Sequence, residues 1–228
     1  MVNHNKPNNI NYDDFIKEQY ELSEMRNEER KSRIVAENRI RWAQEIGQNL
    51  GTSSISDFTT NALQMIKDIR SNPINVTVAT EDKKTSLIAG YAIANYYIQK
   101  GYISPHEISR TNCRDAYENI HGMYEAKKWK TKFFNNENKL FIIEGCSSFL
   151  SNLVKKGDEQ FWGEFLEFVD DFNKNFIIMY SLRDNEETEL LGKTYLEISA
   201  NSNYNRHILN KSKILLKNEN IFKQGEKK

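Results

Sequence analysis

The sequence predicts an α/β fold, a mostly parallel sheet flanked by helices with a helical extension ahead of it. Three observations carry this. Short β-branched or apolar runs at 75–79, 139–144, 176–181 and 213–217 read as strands. Long Gly-poor stretches with helical spacing, such as Thr85 to Lys100 and Glu159 to Asn173, lie between them. Strands that alternate with helices favour parallel pairing, because each parallel return needs a crossover.

Taken in order, residues 1–11 are polar, Asn-rich and without periodicity, and read as a frayed tail. From Tyr12 to about Gly47 the chain has no Gly or Pro and is rich in Glu, Arg and Lys. Phe15, Leu22, Met25, Ala36, Ala43, Ile46 and Leu50 sit near a heptad seam that Glu29, Ser32 and Arg39 interrupt. One long helix, or two, with a thin apolar stripe follows from this; it packs on its own domain or is offered to a partner. Gly51 to Ser56 reads as a linker. Asp57 to Arg70 reads as a helix with Phe58, Ala62, Leu63, Met65, Ile66 and Ile69 inward, closed by Ser71, Asn72 and Pro73.

The β-branched run Val76, Thr77, Val78 gives a strand, Thr80 to Lys84 a polar loop, and Thr85 to Lys100 a long helix that stops at Gly101. Beyond it come a short strand within Glu107 to Arg110 and a helix over Asp115 to Lys130. The buried strand KLFIIE ends at Glu144, and the helix Glu159 to Asn173 leads into the strand FIIMYS. A helix start at Glu186 to Gly192, a short strand at Tyr195 to Ile198 and a last strand at KILLK complete the order. The domain layout is therefore 1–54 as tail and charged helical extension, 55–217 as the α/β domain and 218–228 as a basic tail.

Composition bounds the function. The 228 residues carry 32 Lys+Arg and 32 Asp+Glu, so the whole-chain field selects no polyanionic partner. Two cysteines, Cys113 and Cys146, cannot build a disulfide framework or a Cys-based zinc site, and a reducing, cytoplasmic setting is expected. His4, His106, His121 and His207 show no metal-binding spacing, and no G-x-S-x-G elbow supports acyl transfer.

The chemistry to weigh sits at strand ends, where open parallel sheets collect ligands. The P-loop template G-x-x-x-x-G-K-[ST] can be laid on Val78 to Thr85, where it keeps Lys84 and Thr85 only. Val78 and Lys83 stand in place of the glycines that let the backbone wrap a phosphate, and Glu81 and Asp82 put carboxylates where an anion would lie. The second major strand ends Phe141, Ile142, Ile143, Glu144, Gly145, where an NTPase carries paired acids for Mg²⁺ and water. The third ends at Tyr180 and Ser181, whose hydroxyl is a candidate phosphate contact, although a hydroxyl at a strand end is commonplace.

The order of apolar strand, Lys84-Thr85, LIAGYAIA, FIIEG, FIIMYS, Asn205-Arg206-His207-Ile208 and KILLK resembles the DnaC/DnaI-type helicase loaders, bacterial and phage AAA+ proteins that bring the replicative helicase to DNA. The resemblance covers roughly 55–217 and implies a P-loop, AAA+-like core. It also implies nucleotide and Mg²⁺ contacts at Lys84, Thr85 and Glu144, with Lys83 and Ser181 beside them, and Arg206 as an arginine reaching a neighbouring subunit. A replicative helicase or another initiation protein is the implied partner, in a homo-oligomer or not, for a protein of phage, plasmid or genomic-island origin. Two lost glycines and a lost catalytic acid imply a degraded nucleotide site, so binding of other proteins is the expected activity. A working ATPase, with Lys83 or Lys84 supplying charge and Glu144 holding Mg²⁺ for ATP, is the rival expectation. A further patch, Lys127, Lys128, Trp129, Lys130 and Lys132, has the cations and aromatic that a single-stranded DNA surface needs. Its plainer reading is a helix end with core aromatics.

Overall fold

A computed structural model of the chain describes residues 12–80, 83–112, 137–145, 173–181, 211–216 and 221–223. Its described elements begin with α1 (Tyr12–Ile46), the short α2 (Gln48–Gly51) and α3 (Thr60–Met65), then strand β1 (Val76–Thr80) and helix α4 (Lys83–Gln99). Strands β2 (Ile108–Asn112), β3 (Leu140–Glu144), β4 (Asn175–Ser181) and β5 (Lys213–Leu216) complete a five-stranded sheet in the order β2-β3-β4-β1-β5. Every pairing is parallel. The α/β fold with an N-terminal helical extension is thus present, and its sheet is consistent with a P-loop-like core.

The strands form where apolar runs allow burial on both faces. Val76, Val78, Ile142, Ile177, Met179 and Leu215 are buried on the face that carries α4, and Phe141, Ile143, Phe176 and Ile178 are buried as well. Such two-sided burial explains why β1, β3 and β4 read as continuous hydrophobic runs with little alternation. Helix α4 closes on this sheet through a small residue. A Cβ at Gly90 would lie 2.3 Å from Met179 Cε, so any larger residue there displaces Met179 or the helix. The helix ends as its sequence predicts, with Gly101 in the left-handed region at φ 70° and Tyr102 N–H bonded to Tyr97 O at 3.0 Å.

Several expected boundaries move. The helix read over Asp57 to Arg70 is α3 followed by a 3₁₀ turn at Lys67–Arg70. Thr59 caps α3, its side chain accepting from Ala62 N–H, which leaves Phe58 in extended backbone. Phe58 instead bridges Phe222 and meets its ring edge-on at 5.4 Å. Met65, expected inward, is exposed. The expected linker Gly51 to Ser56 is partly helical, taking in the end of α2 and the start of a 3₁₀ turn at Ile55–Asp57. Residues 221–223, expected in a loose basic tail, are tied down: Ile221 is fully buried, its carbonyl accepts from Thr59 N–H, and Lys223 N–H donates to Asp57 O. Two apolar residues among the lysines outweigh the charge of that stretch.

Helix α1 divides in two. Its C-terminal part joins the domain core, with Trp42 and Ile46 buried in the cluster that contains Ala92, Ile98 and Ile142. Residues 16–34, by contrast, are exposed without exception. At ~1.5 Å per residue that uncovered stretch is roughly 28 Å of helix. The expected helices at 115–130 and 186–192, the strand at 195–198 and residues 159–172 of the third expected helix lie outside the described residues, while Asn173, its expected last residue, is in a turn with φ 49°.

Candidate functional site

The sheet order fixes where a ligand site would fall. Among the described strands the one after β1 is β2, at one edge, and the one after β4 is β5, at the other, so the neighbours β1 and β4 lead in opposite directions. That is a topological switch point, and the crevice outside its carboxyl ends is the default site of an open parallel sheet. Register places Ser181 of β4 opposite Thr80 of β1, so two residues from separate motifs meet there. Lys83 and Lys84 open α4 at this end of the sheet, both exposed, whereas Thr85 and Ser86 are buried. Ser86 Oγ turns back to donate to Lys83 O at 3.0 Å.

The junction is short. Strand β1 runs to Thr80 and α4 begins at Lys83, leaving Glu81 and Asp82 between them. The template laid on Val78 to Thr85 needs a loop from its first position; here Val78, Ala79 and Thr80 are strand residues paired with Met179, Tyr180 and Ser181. Their amides therefore belong to a sheet. The two template positions that carry glycine are here Val78, a strand residue, and Lys83, the first residue of α4.

Glu144 is equally committed. Strand alternation and register put Glu144, Ile142 and Arg110 on the face that carries α4. There Tyr91 Oη donates to Glu144 Oε1, Arg110 Nε donates to Tyr91 Oη at 2.7 Å, and Arg110 Nη2 lies 3.3 Å from Glu144 Oε1. Tyr91 stands eight residues beyond Lys83 in the chain, which is about 12 Å along a helix axis. Arg110 Nη1 also reaches Glu45 of α1 at 3.7 Å, and its guanidinium lies 5.7 Å from the Trp42 ring and 5.3 Å from the Tyr91 ring. Trp42 in turn donates from Nε1 to Asn95 Oδ1 at 2.9 Å, and Asn95 Nδ2 donates to the carbonyls of Leu50 and Ser53 at 2.8 Å each.

Electrostatics keeps this cluster closed. Burial pushes the Tyr91 hydroxyl well above the ordinary tyrosine range and the Glu144 carboxylate adds to the shift, so at neutral pH Tyr91 is a fixed proton donor. Burial alone would lower the Arg110 pKa, but Tyr91 and Glu144 outweigh it and hold it above its usual value. Both donors act on Oε1, so that oxygen of Glu144 is engaged within the cluster. What the arrangement does is mechanical: five side chains lock α1, α4, β2 and β3 together.

Of the residues expected at a nucleotide site, the structure brings Lys83, Lys84 and Thr85 to the β1 end, puts Ser181 across from Thr80 and turns Glu144 to Tyr91 and Arg110. Arg206 lies outside the described residues, as do Lys127, Lys128, Trp129, Lys130 and Lys132. Sequence reasoning missed Trp42, Glu45, Tyr91 and Arg110. One signal pointed to them: a hydroxyl in the middle of the apolar LIAGYAIA run requires a buried partner.

Among the described residues no helix is long and apolar enough to cross a membrane, and no three His, Cys, Asp or Glu residues group as a metal centre. No family model matches the chain, and no curated protein matches it. Among solved structures it is similar to one titled "Crystal structure Rif2 in complex with the C-terminal domain of Rap1 (Rap1-RCT)", at 13% identity and a TM-score of 0.35. That match covers 80% of this chain and 59% of the other, so the chain spans less than two thirds of that structure's length.

Proposed function

We propose that this protein is a DNA-replication accessory protein of the helicase-loader kind, cytoplasmic, with a degenerate nucleotide site, working by protein contacts. The replication setting is supported by the sequence order that resembles DnaC/DnaI-type loaders, from Lys84-Thr85 through FIIEG and FIIMYS to KILLK. The non-catalytic character is supported by one observation above others: Glu144 is bound by Tyr91 and Arg110. In a working NTPase that strand end must face metal and water.

A contact role also accounts for α1. A helix that is charged around most of its circumference and uncovered over residues 16–34 adds little to its own domain's stability. It nevertheless keeps Ile16, Tyr20, Leu22, Met25 and Ile34 exposed. The reading is tested by gel filtration of the purified full chain with a purified bacterial replicative helicase. A co-migrating complex is expected, and one that Mg-ATP neither creates nor dissolves. No complex at micromolar concentrations would overturn the replication reading.

A further inference from the structure

A cavity of about 180 Å³ opens between the rooted part of α1, residues 51–55 and the C-terminal turns of α4. Asn95 to Gln99, which form its α4 wall, stand twelve to sixteen residues beyond Lys83, about 18–24 Å along the helix axis. The cavity is therefore separate from the switch point.

Its walls are fixed by groups that are themselves satisfied. Asn95 donates to the carbonyls of Leu50 and Ser53 and to Ser53 Oγ at 3.1 Å, while Trp42 ties Asn95 to α1. Gly51 lets this turn lie against α1, since a Cβ there would fall 2.5 Å from Ala43 Cβ.

The groups left over are donors. Thr52 and Ser53 spend their hydroxyl protons on the carbonyls of Gln48 and Leu50. Ser54 Oγ instead accepts twice, from Ser56 N–H at 3.1 Å and from Ser56 Oγ at 2.9 Å, which leaves its own proton to donate. Arg39 of α1 and Tyr96 and Gln99 of α4 also line the cavity. Among the described residues, none of these three side chains makes a hydrogen bond or ion pair. Lys100 Nζ stands 5.6 Å from the Tyr96 ring, and no Asp or Glu is among the described residues that line the space.

We infer that this cavity binds a small phosphate monoester. Donors on three walls suit a tetrahedral group that accepts from several directions, whereas a planar carboxylate is satisfied by a single guanidinium fork. The volume lies below the ~300 Å³ at which sites for drug-sized ligands begin, so a glycerol-sized body is admitted and a nucleoside triphosphate is not. The site draws on nothing in the helicase-loader reading, and each can fail without the other.

Thermal unfolding of the full chain, at an ionic strength held constant with NaCl, tests it. Glycerol 3-phosphate and inorganic phosphate should raise Tm saturably between ~0.1 and ~20 mM, and glycerol at the same concentrations should not. Arg39→Gln should weaken the apparent affinity about tenfold or more, with the Tm of the unliganded chain unchanged because that side chain is exposed. Ser54→Asp keeps a capping acceptor for the 3₁₀ turn but sets a carboxylate at the cavity wall, and should abolish the response in a folded chain. Arg41→Gln, exposed and outside the lining, should leave it intact. No saturable rise with either phosphate, an equal rise with glycerol, a response that survives Arg39→Gln or Ser54→Asp, or one that Arg41→Gln weakens equally would each overturn the proposal.

Discussion

The carboxyl end of the sheet and the free half of α1 are opposites. The first is where a parallel α/β fold places its ligand, yet its strand-to-helix junction is two residues long and its neighbouring acid, Glu144, is held by Tyr91 and Arg110. The second carries no catalytic residue, yet from 16 to 34 nothing in the described structure covers it. The difference teaches that a fold can keep the place of a site while its side chains turn inward as braces. What then faces solvent in an unsatisfied form is the arm.

Variants can break that contrast or sharpen it. The largest effect should come at the root of the arm. Trp42→Ala removes a buried indole, its bond to Asn95 and its contacts with Tyr91 and Arg110, and should cost about 3–5 kcal/mol in urea unfolding. Trp42→Phe, which mainly loses the N–H, should cost about 1 kcal/mol. If the alanine variant were nearly neutral, α1 would not be anchored as described.

Next comes the brace itself. Arg110→Ala leaves Glu144 and Glu45 without their cation, and should lower stability by about 1–3 kcal/mol in the same assay. Glu144→Gln keeps an acceptor for Tyr91 and should cost less. Were Arg110→Ala to leave stability intact and create Mg²⁺ binding, the brace would be a latch over a live site.

Alkaline pH gives a third, graded handle. Burial holds the Tyr91 and Tyr97 hydroxyls above their ordinary range, Tyr97 being fixed by bonds to both backbone groups of Ile74. Their folded pKa values exceed the unfolded ones, so their contribution is complete below the unfolded value and is lost as pH rises beyond it. Stability should therefore decline above about pH 10. Tyrosinate absorbance should lag for two residues until unfolding. Early ionisation of every tyrosine would show the core open.

The smallest stability change belongs to the arm. Leu22→Ser with Met25→Ser should shift unfolding by no more than about 0.5 kcal/mol, since both side chains are exposed. A large loss there would mean that the arm packs on its own domain.

How much of this was legible beforehand follows from how local each signal is. The strands at 76–80, 140–144, 175–181 and 213–216 were readable because burial on both faces demands unbroken apolar runs. Gly101 marked the end of α4 because a left-handed residue closes a helix. The late start of α3 at Thr60 was not readable, because Phe58 is drawn away from the helix to meet Phe222, a residue distant in the chain. Glu144 was singled out correctly as a polar strand end, but its partners come from α4 and β2, and no local spacing joins Tyr91 to Arg110. Lys83, Lys84 and Thr85 were placed properly at a strand-to-helix junction. The polar loop read over Thr80 to Lys84 is shorter in the structure, since Thr80 pairs with Ser181 in β1 and Lys83 and Lys84 already belong to α4.

The most direct measurement is calorimetric titration of the full chain with Mg-ATP to about 1 mM, a concentration at which even a weak site of about −4 kcal/mol would half-fill. The account predicts no saturable heat, in the wild-type chain and in Lys84→Ala alike. Saturable binding that Lys84→Ala abolishes would contradict it.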